Sequence, residues 1–167
     1  MLYEQLKTTF LYVTHDQVEA MSMGSNIVIM NQGIVMQQGT PREIYTNPRN
    51  VFVAGFIGSP PANIIHWNMG SVAVRPEHVS LNQPLMEGIH LKGEIKTVEQ
   101  LGSDSIYSVR TEIGNIKAKS VCLWEDQDKL ADVCLPYEHI FYFDEAGDRI
   151  QGDKICQRKF ADFINGI

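Results

Sequence analysis

The sequence predicts an α+β fold in three parts: a mixed segment over residues 1–60, a small β-barrel over 61–152, and a closing amphipathic helix over 153–167. Three observations predict it. The first sixty residues alternate short apolar runs with helix-capping signatures. From Ser71 onward short β-rich runs recur at even spacing, punctuated by Gly88, Gly102, Gly114 and Gly147. From Asp153 to Gly166 the residues Ile155, Cys156, Phe160, Phe163 and Ile164 fall near one helical face.

In chain order, Phe10 to Val13 is a short apolar run that reads as a buried strand. Asp16 and Glu19 stand at capping-box spacing, so a helix begins near His15 or Asp16 and ends at Gly24. Ile27 to Met30 reads as a second strand, Asn31-Gln32-Gly33 as a turn, and Ile34 to Gln38 as the returning strand. Thr40-Pro41-Arg42-Glu43 combines a cap, a proline suited to the first helical position and a box-closing glutamate. That helix stops before Asn47-Pro48. Asn50 caps a further short helix carrying Val51, Phe52, Val53 and Phe56. Gly58-Ser59-Pro60-Pro61 breaks the chain and marks the expected boundary. Strands are then expected over 72–75, 89–100, 105–111, 115–120, 132–135 and 139–143.

Composition narrows the function. The chain has 167 residues, 44% of them hydrophobic, and a formal net charge of -6. Lys and Arg form no cluster, so a nucleic-acid partner is not expected. No apolar run approaches the roughly 18 residues of a membrane span, and no signal peptide is evident. Cys122, Cys134 and Cys156 lack C-x-x-C spacing, which argues against a disulfide framework or zinc site and for a reducing cytoplasmic setting. His66, His78, His90 and His139 show no ligand spacing, so no metal site is expected. Met21, Met23, Met30 and Met36 read as core, Trp67 and Trp124 as packing residues, and Glu125-Asp126-Gln127-Asp128 as a solvated loop.

His15 is the candidate for chemistry. It follows a strand and precedes a helix, where an α/β protein binds ligands beyond its strand ends. A neutral imidazole there can donate to a phosphate and accept from water. A lone histidine in that place is otherwise a turn residue.

Its surroundings carry a resemblance. Tyr12-Val13-Thr14-His15-Asp16-Gln17-Val18-Glu19-Ala20-Met21 resembles the switch-histidine segment of the ATP-binding subunits of bacterial ABC importers, in the subfamily for maltose, multiple sugars and glycerol phosphate. Gln37-Gln38-Gly39-Thr40-Pro41, Asn47-Pro48 and Asn50 to Pro60 continue it in order. Arg75-Pro76-Glu77-His78, then Glu99 to Asp104 and Gly114, resemble the regulatory domain of the same subfamily, an oligonucleotide-binding-like barrel of the TOBE type. The resemblance implies that 1–60 is the remnant of a nucleotide-binding domain, that 61–152 is a shortened TOBE domain, and that His15 is the switch histidine contacting the ATP γ-phosphate in the full-length context. Read without the resemblance, Arg75 and Glu77 form a local ion pair at a strand end.

Departures from the family set the functional expectation. The chain has no Gly-Lys pair, so it cannot contain the phosphate loop Gly-x-x-x-x-Gly-Lys-Ser/Thr, and no Gly-Gly pair for the family's glycine-rich motif. Met1 lies only fourteen residues before His15. The chain alone is therefore expected to be inactive, with no cofactor of its own, while ATP and Mg serve the full-length family. Ile140-Phe141-Tyr142-Phe143-Asp144-Glu145 has the form of a Walker B strand but the wrong place in the order; it is expected to be a barrel strand followed by a turn. Only 64–74 separates the two matched regions, so the barrel is expected to lack opening strands and to need the C-terminal helix or a second chain over its edges. The resemblance implies a homodimer through the regulatory domain, membrane-embedded permease subunits as partners, a possible regulatory protein, and a place at the cytoplasmic face of the membrane. The alternative is a stand-alone regulatory or oxyanion-binding TOBE module, whose nearby cations Lys92, Lys96, Lys117 and Lys119 are scattered.

Overall fold

The computed structural model describes residues 9–121 and 129–166. Cys122, Trp124 and the 125–128 loop lie outside the described residues. The first helix, α1 (Gln17–Met23), starts where Asp16 accepts the Val18 and Glu19 amides and stops at Gly24. β1 (Ile27–Asn31) and β2 (Ile34–Gly39) form a hairpin whose two-residue turn places Gln32 and Gly33 at positive φ. α2 (Pro41–Thr46) carries the full Thr40–Glu43 capping box, and Asn50 caps α3 (Val51–Phe56). Ile27, Ile29, Ile44, Val53 and Ile57 make the core of this segment.

The rest is antiparallel β-structure in two sheets. β3 (Asn63–Trp67), β4 (Gly70–Val74), β10 (Ile140–Phe143) and β11 (Arg149–Ile150) form a four-stranded sheet in the order β11-β10-β4-β3. β5 (Ser80–Leu81), β6 (Gly88–Leu101), β7 (Asp104–Thr111), β8 (Gly114–Ser120) and β9 (Leu130–Pro136) form a five-stranded sheet in the order β5-β9-β6-β7-β8. It curls into the half-barrel of an oligonucleotide-binding-like fold. The chain crosses between the sheets through two short 3-10 turns, Pro76–His78 going out and Tyr137–His139 coming back. α4 (Lys154–Asn165), capped by Asp153, packs Phe160 edge-on against Trp67 and Tyr142, with ring centroids 5.5 Å and 6.5 Å away. Inner-face residues of both sheets and Phe160 and Ile164 of α4 share one core.

Several expectations change. Phe10 to Val13 is no strand, and Leu11 and Val13 are 91% and 86% exposed. A strand needs a neighbour to take its backbone hydrogen bonds, and no described strand lies beside this one. β3 was not expected: Asn63–Trp67 alternates buried and less buried residues and turns at Gly70 into β4, so the 64–74 stretch holds a hairpin. The C-terminal helix covers a sheet face, through Trp67 and Tyr142, rather than an edge. Ile155 is 63% exposed. It precedes Phe160 by five residues, about 140° around the helix, and so leaves the buried stripe. Met21 and Met36 pack on the first core as expected, but Met23 and Met30 are exposed, each on the outer face of its own element. The Walker B-like run is β10, paired antiparallel to β4, with Asp144 accepting the Asp148 amide in the following turn. A Walker B strand belongs to a parallel nucleotide-binding sheet; this one does not.

Candidate functional site

Around His15 the sequence builds a tied bend. Thr14 Oγ1 accepts the Asp16 amide at 3.0 Å and donates to Glu19 Oε2 at 2.9 Å, and the Tyr12 hydroxyl donates to the same carboxylate at 3.1 Å. The Glu19 carboxylate holds the Tyr12 phenol above its ordinary range. Gln17 Oε1 accepts the Gly58 amide at 3.1 Å, which fastens α1 to the end of α3. His15 sits exposed at this bend. The described residues do not complete a nucleotide site around it. The Val18 and Glu19 amides at the start of α1 are taken by Asp16 at 2.8 Å and 3.2 Å, and that carboxylate repels an anion. No cation among the described residues joins His15 in an ion pair or hydrogen-bond network.

The most organised polar centre is at Arg75, where β4 leaves its sheet. The residue is only 1% exposed. Nη2 donates to the Tyr45 carbonyl at 2.9 Å; Nη1 donates to the Ile57 carbonyl and, at 3.4 Å, to that of Ala54. These carbonyls end α2 and α3, where helices leave acceptors unsatisfied and concentrate negative partial charge. One guanidinium therefore caps two helix C-termini. It also lies over the Tyr45 ring, 3.9 Å from the centroid. The Tyr45 hydroxyl donates to Glu77. Burial first, then this carboxylate, pushes the Tyr45 phenol up to about 12. Burial also lowers the Arg75 pKa, partly offset by Tyr45 and Glu77. The expected Arg75–Glu77 ion pair is thus replaced by two longer reaches, because helix-end carbonyls and a tyrosine lie nearer to hand in three dimensions. The signal available in the sequence was an arginine directly after the buried run Val72-Ala73-Val74 and before Pro76.

Three of the four scattered cations are engaged with carboxylates. Lys92 pairs with Asp132, Lys96 with Glu94 at 2.5 Å, and Lys119 with Asp104 at 2.8 Å. An open cleft of about 540 Å³ lies beside the first crossing turn, lined by Glu77, Leu81, Asp104, Tyr107, Lys119 and Ser120 among others. With two carboxylates and one paired lysine, it offers little to an oxyanion. No group of three or more metal-ligating side chains converges among the described residues. His78 and His139 do meet, as a stacked pair with ring centroids 3.8 Å apart; their lack of ligand spacing gave no hint of it. Cys134 and Cys156 are free thiols.

Arg75 thus ties the entry of the β-structure to the ends of two helices, and residues 72–121 match the family model described as the TOBE domain. The chain is 47% identical over 114 residues to the spermidine/putrescine import ATP-binding protein PotA of Bacillus anthracis and of Bacillus cereus, covering 66% of this chain and 34% of theirs. It is 39% identical over 125 residues to the sn-glycerol-3-phosphate import ATP-binding protein UgpC 3 of Rhizobium etli, covering 65% of this chain and 36% of that protein. The chain spans about a third of the length of the curated relatives it matches. It carries a TOBE domain and is homologous to the C-terminal part of ATP-binding subunits of bacterial ABC importers.

Proposed function

We propose that this chain is the C-terminal regulatory part of the ATPase subunit of an ABC importer for a small organic solute, and that by itself it neither binds nor hydrolyses ATP. The supporting observation is the match of 66% of the chain to import ATP-binding proteins, together with the TOBE-domain match over 72–121. In this reading His15 is the switch histidine of the full-length protein. Residues up to about 60 belong to the nucleotide-binding domain and those after it to the TOBE domain. The subunit works at the cytoplasmic face beside membrane permeases; among the described residues no helix is long and apolar enough to cross a membrane. The retained property is pairing of two chains through the barrel.

For the solute, the motif resemblance and the glycerol-phosphate relatives favour a sugar-type importer. The polyamine importers at 47% identity favour a second reading, a cationic solute. Uptake of labelled sugar, glycerol phosphate and spermidine by cells expressing or lacking the full-length gene separates the two. For inactivity, ATP–Mg²⁺ titrated into the pure chain by calorimetry gives no heat of binding, and phosphate release stays at background. Micromolar affinity or measurable turnover overturns that part. Sedimentation of the pure chain as a dimer supports the pairing role, and a monomer at high concentration rejects it.

A further inference from the structure

The two 3-10 turns that carry the chain between the sheets end alike, in Glu77-His78 and Glu138-His139. One turn leads from β4 to β5 and the other from β9 back to β10, so these are the crossings that hold the two sheets as one barrel. Their histidines stack face to face, 3.8 Å between centroids with planes 10° apart. We propose that the His78–His139 stack is a proton-sensitive clasp on the two crossings, closed while both imidazoles are neutral and opened when they take up protons.

Neutral imidazoles stack favourably, whereas two imidazolium rings at this distance repel. The surrounding charges do not cancel that repulsion. Glu77, on the first crossing, is occupied by the Tyr45 hydroxyl from α2 and is further offset by Arg75 and by Lys119 of β8. Glu138, on the second crossing, stands 3.4 Å from His139 Nε2 but is 79% exposed, so water screens it. Burial first, and then His139, hold the His78 imidazole below its ordinary value of 6.5, with Arg75 lowering it and Glu77 and Glu138 raising it. A depressed histidine binds protons more readily in the unfolded chain. The stability it carries is present above about pH 6.5 and is lost as pH falls below that. Because His78 follows Arg75 and Glu77 in one turn, opening the clasp also slackens the grip on the ends of α2 and α3.

The test is thermal unfolding of the full chain at about pH 7.5 and about pH 5.5, beside His139→Phe, which keeps an aromatic ring and cannot be protonated. The wild type loses about 2–4 °C more on acidification than the variant does. Equal losses overturn the clasp. If the variant does not fold, the wild type alone decides by NMR. The His78 ring signals titrate below pH 6.5, and the amides of 75–79 and 137–140 shift in the same transition. A ring titrating at or above 6.5, or turn amides that stay still, rejects the proposal.

Discussion

Arg75 shows how one side chain can hold two folded parts together. Its guanidinium answers carbonyls at the ends of α2 and α3, which would otherwise be buried without donors. Replacing it by methionine keeps the volume but leaves those acceptors orphaned. Arg75→Met is expected to cost roughly 2–4 kcal/mol, since buried hydrogen bonds to a charged group are among the costlier to lose. Urea unfolding of the two proteins measures it; a loss under about 0.5 kcal/mol, the size of a surface change, contradicts the capping role. His15 makes the opposite point. Its neighbours fix it at a bend, but nothing among the described residues turns that placement into a phosphate site.

At the level of elements, caps and turns did most of the local specification. Thr40 and Glu43 close a capping box whose amide contacts hold the Glu43 carboxyl below its ordinary range. Gly70 has a φ of 128° and a Cβ there would stand 2.2 Å from the Phe143 carbonyl oxygen, so the tight β3–β4 turn can exist beside β10 only with glycine. The first feature is plain in the sequence as Thr-Pro-x-Glu; the second, Asn-Met-Gly, is a weaker turn signal, and β3 is hidden with it. The helix α4 was legible from its period, but its docking face was not. Phe160→Ala is expected to destabilise the chain by roughly 3–5 kcal/mol and to unseat α4 from Trp67. Tryptophan fluorescence and denaturant unfolding read both effects. An unshifted midpoint refutes the packing assignment.

For the molecule as a whole, the two sheets are sewn together by a side chain that imitates a strand. Asn63 of β3 accepts the Lys117 amide at 2.7 Å and donates to the Lys117 carbonyl at 2.8 Å and the Val74 carbonyl at 3.3 Å. β3 and β8 are edge strands of different sheets, so this contact closes a seam that backbone pairing leaves open. Asn63→Ala is expected to cost roughly 2–3 kcal/mol and to speed amide exchange in β8 more than in β6, which has neighbours on both sides. Hydrogen exchange resolved by strand checks this; uniform acceleration across the five-stranded sheet contradicts the seam.

The sequence by itself determined most of the local elements and the lineage. Helix caps, two-residue turns and strand periods are written in contiguous residues, and the His15 segment and Arg75-Pro76-Glu77-His78 are contiguous motifs. The tertiary structure alone decided what those residues touch. Arg75 left Glu77 for helix ends 18 to 30 residues away, Asn63 reached 54 residues to Lys117, and His78 met His139. It also left Phe10 to Val13 exposed, because an apolar run becomes a strand only when a partner strand stands beside it. Spacing along the chain fixes a helix turn or a hairpin, but contacts between distant segments depend on how sheets curl and cross, and that is set by packing of the whole core.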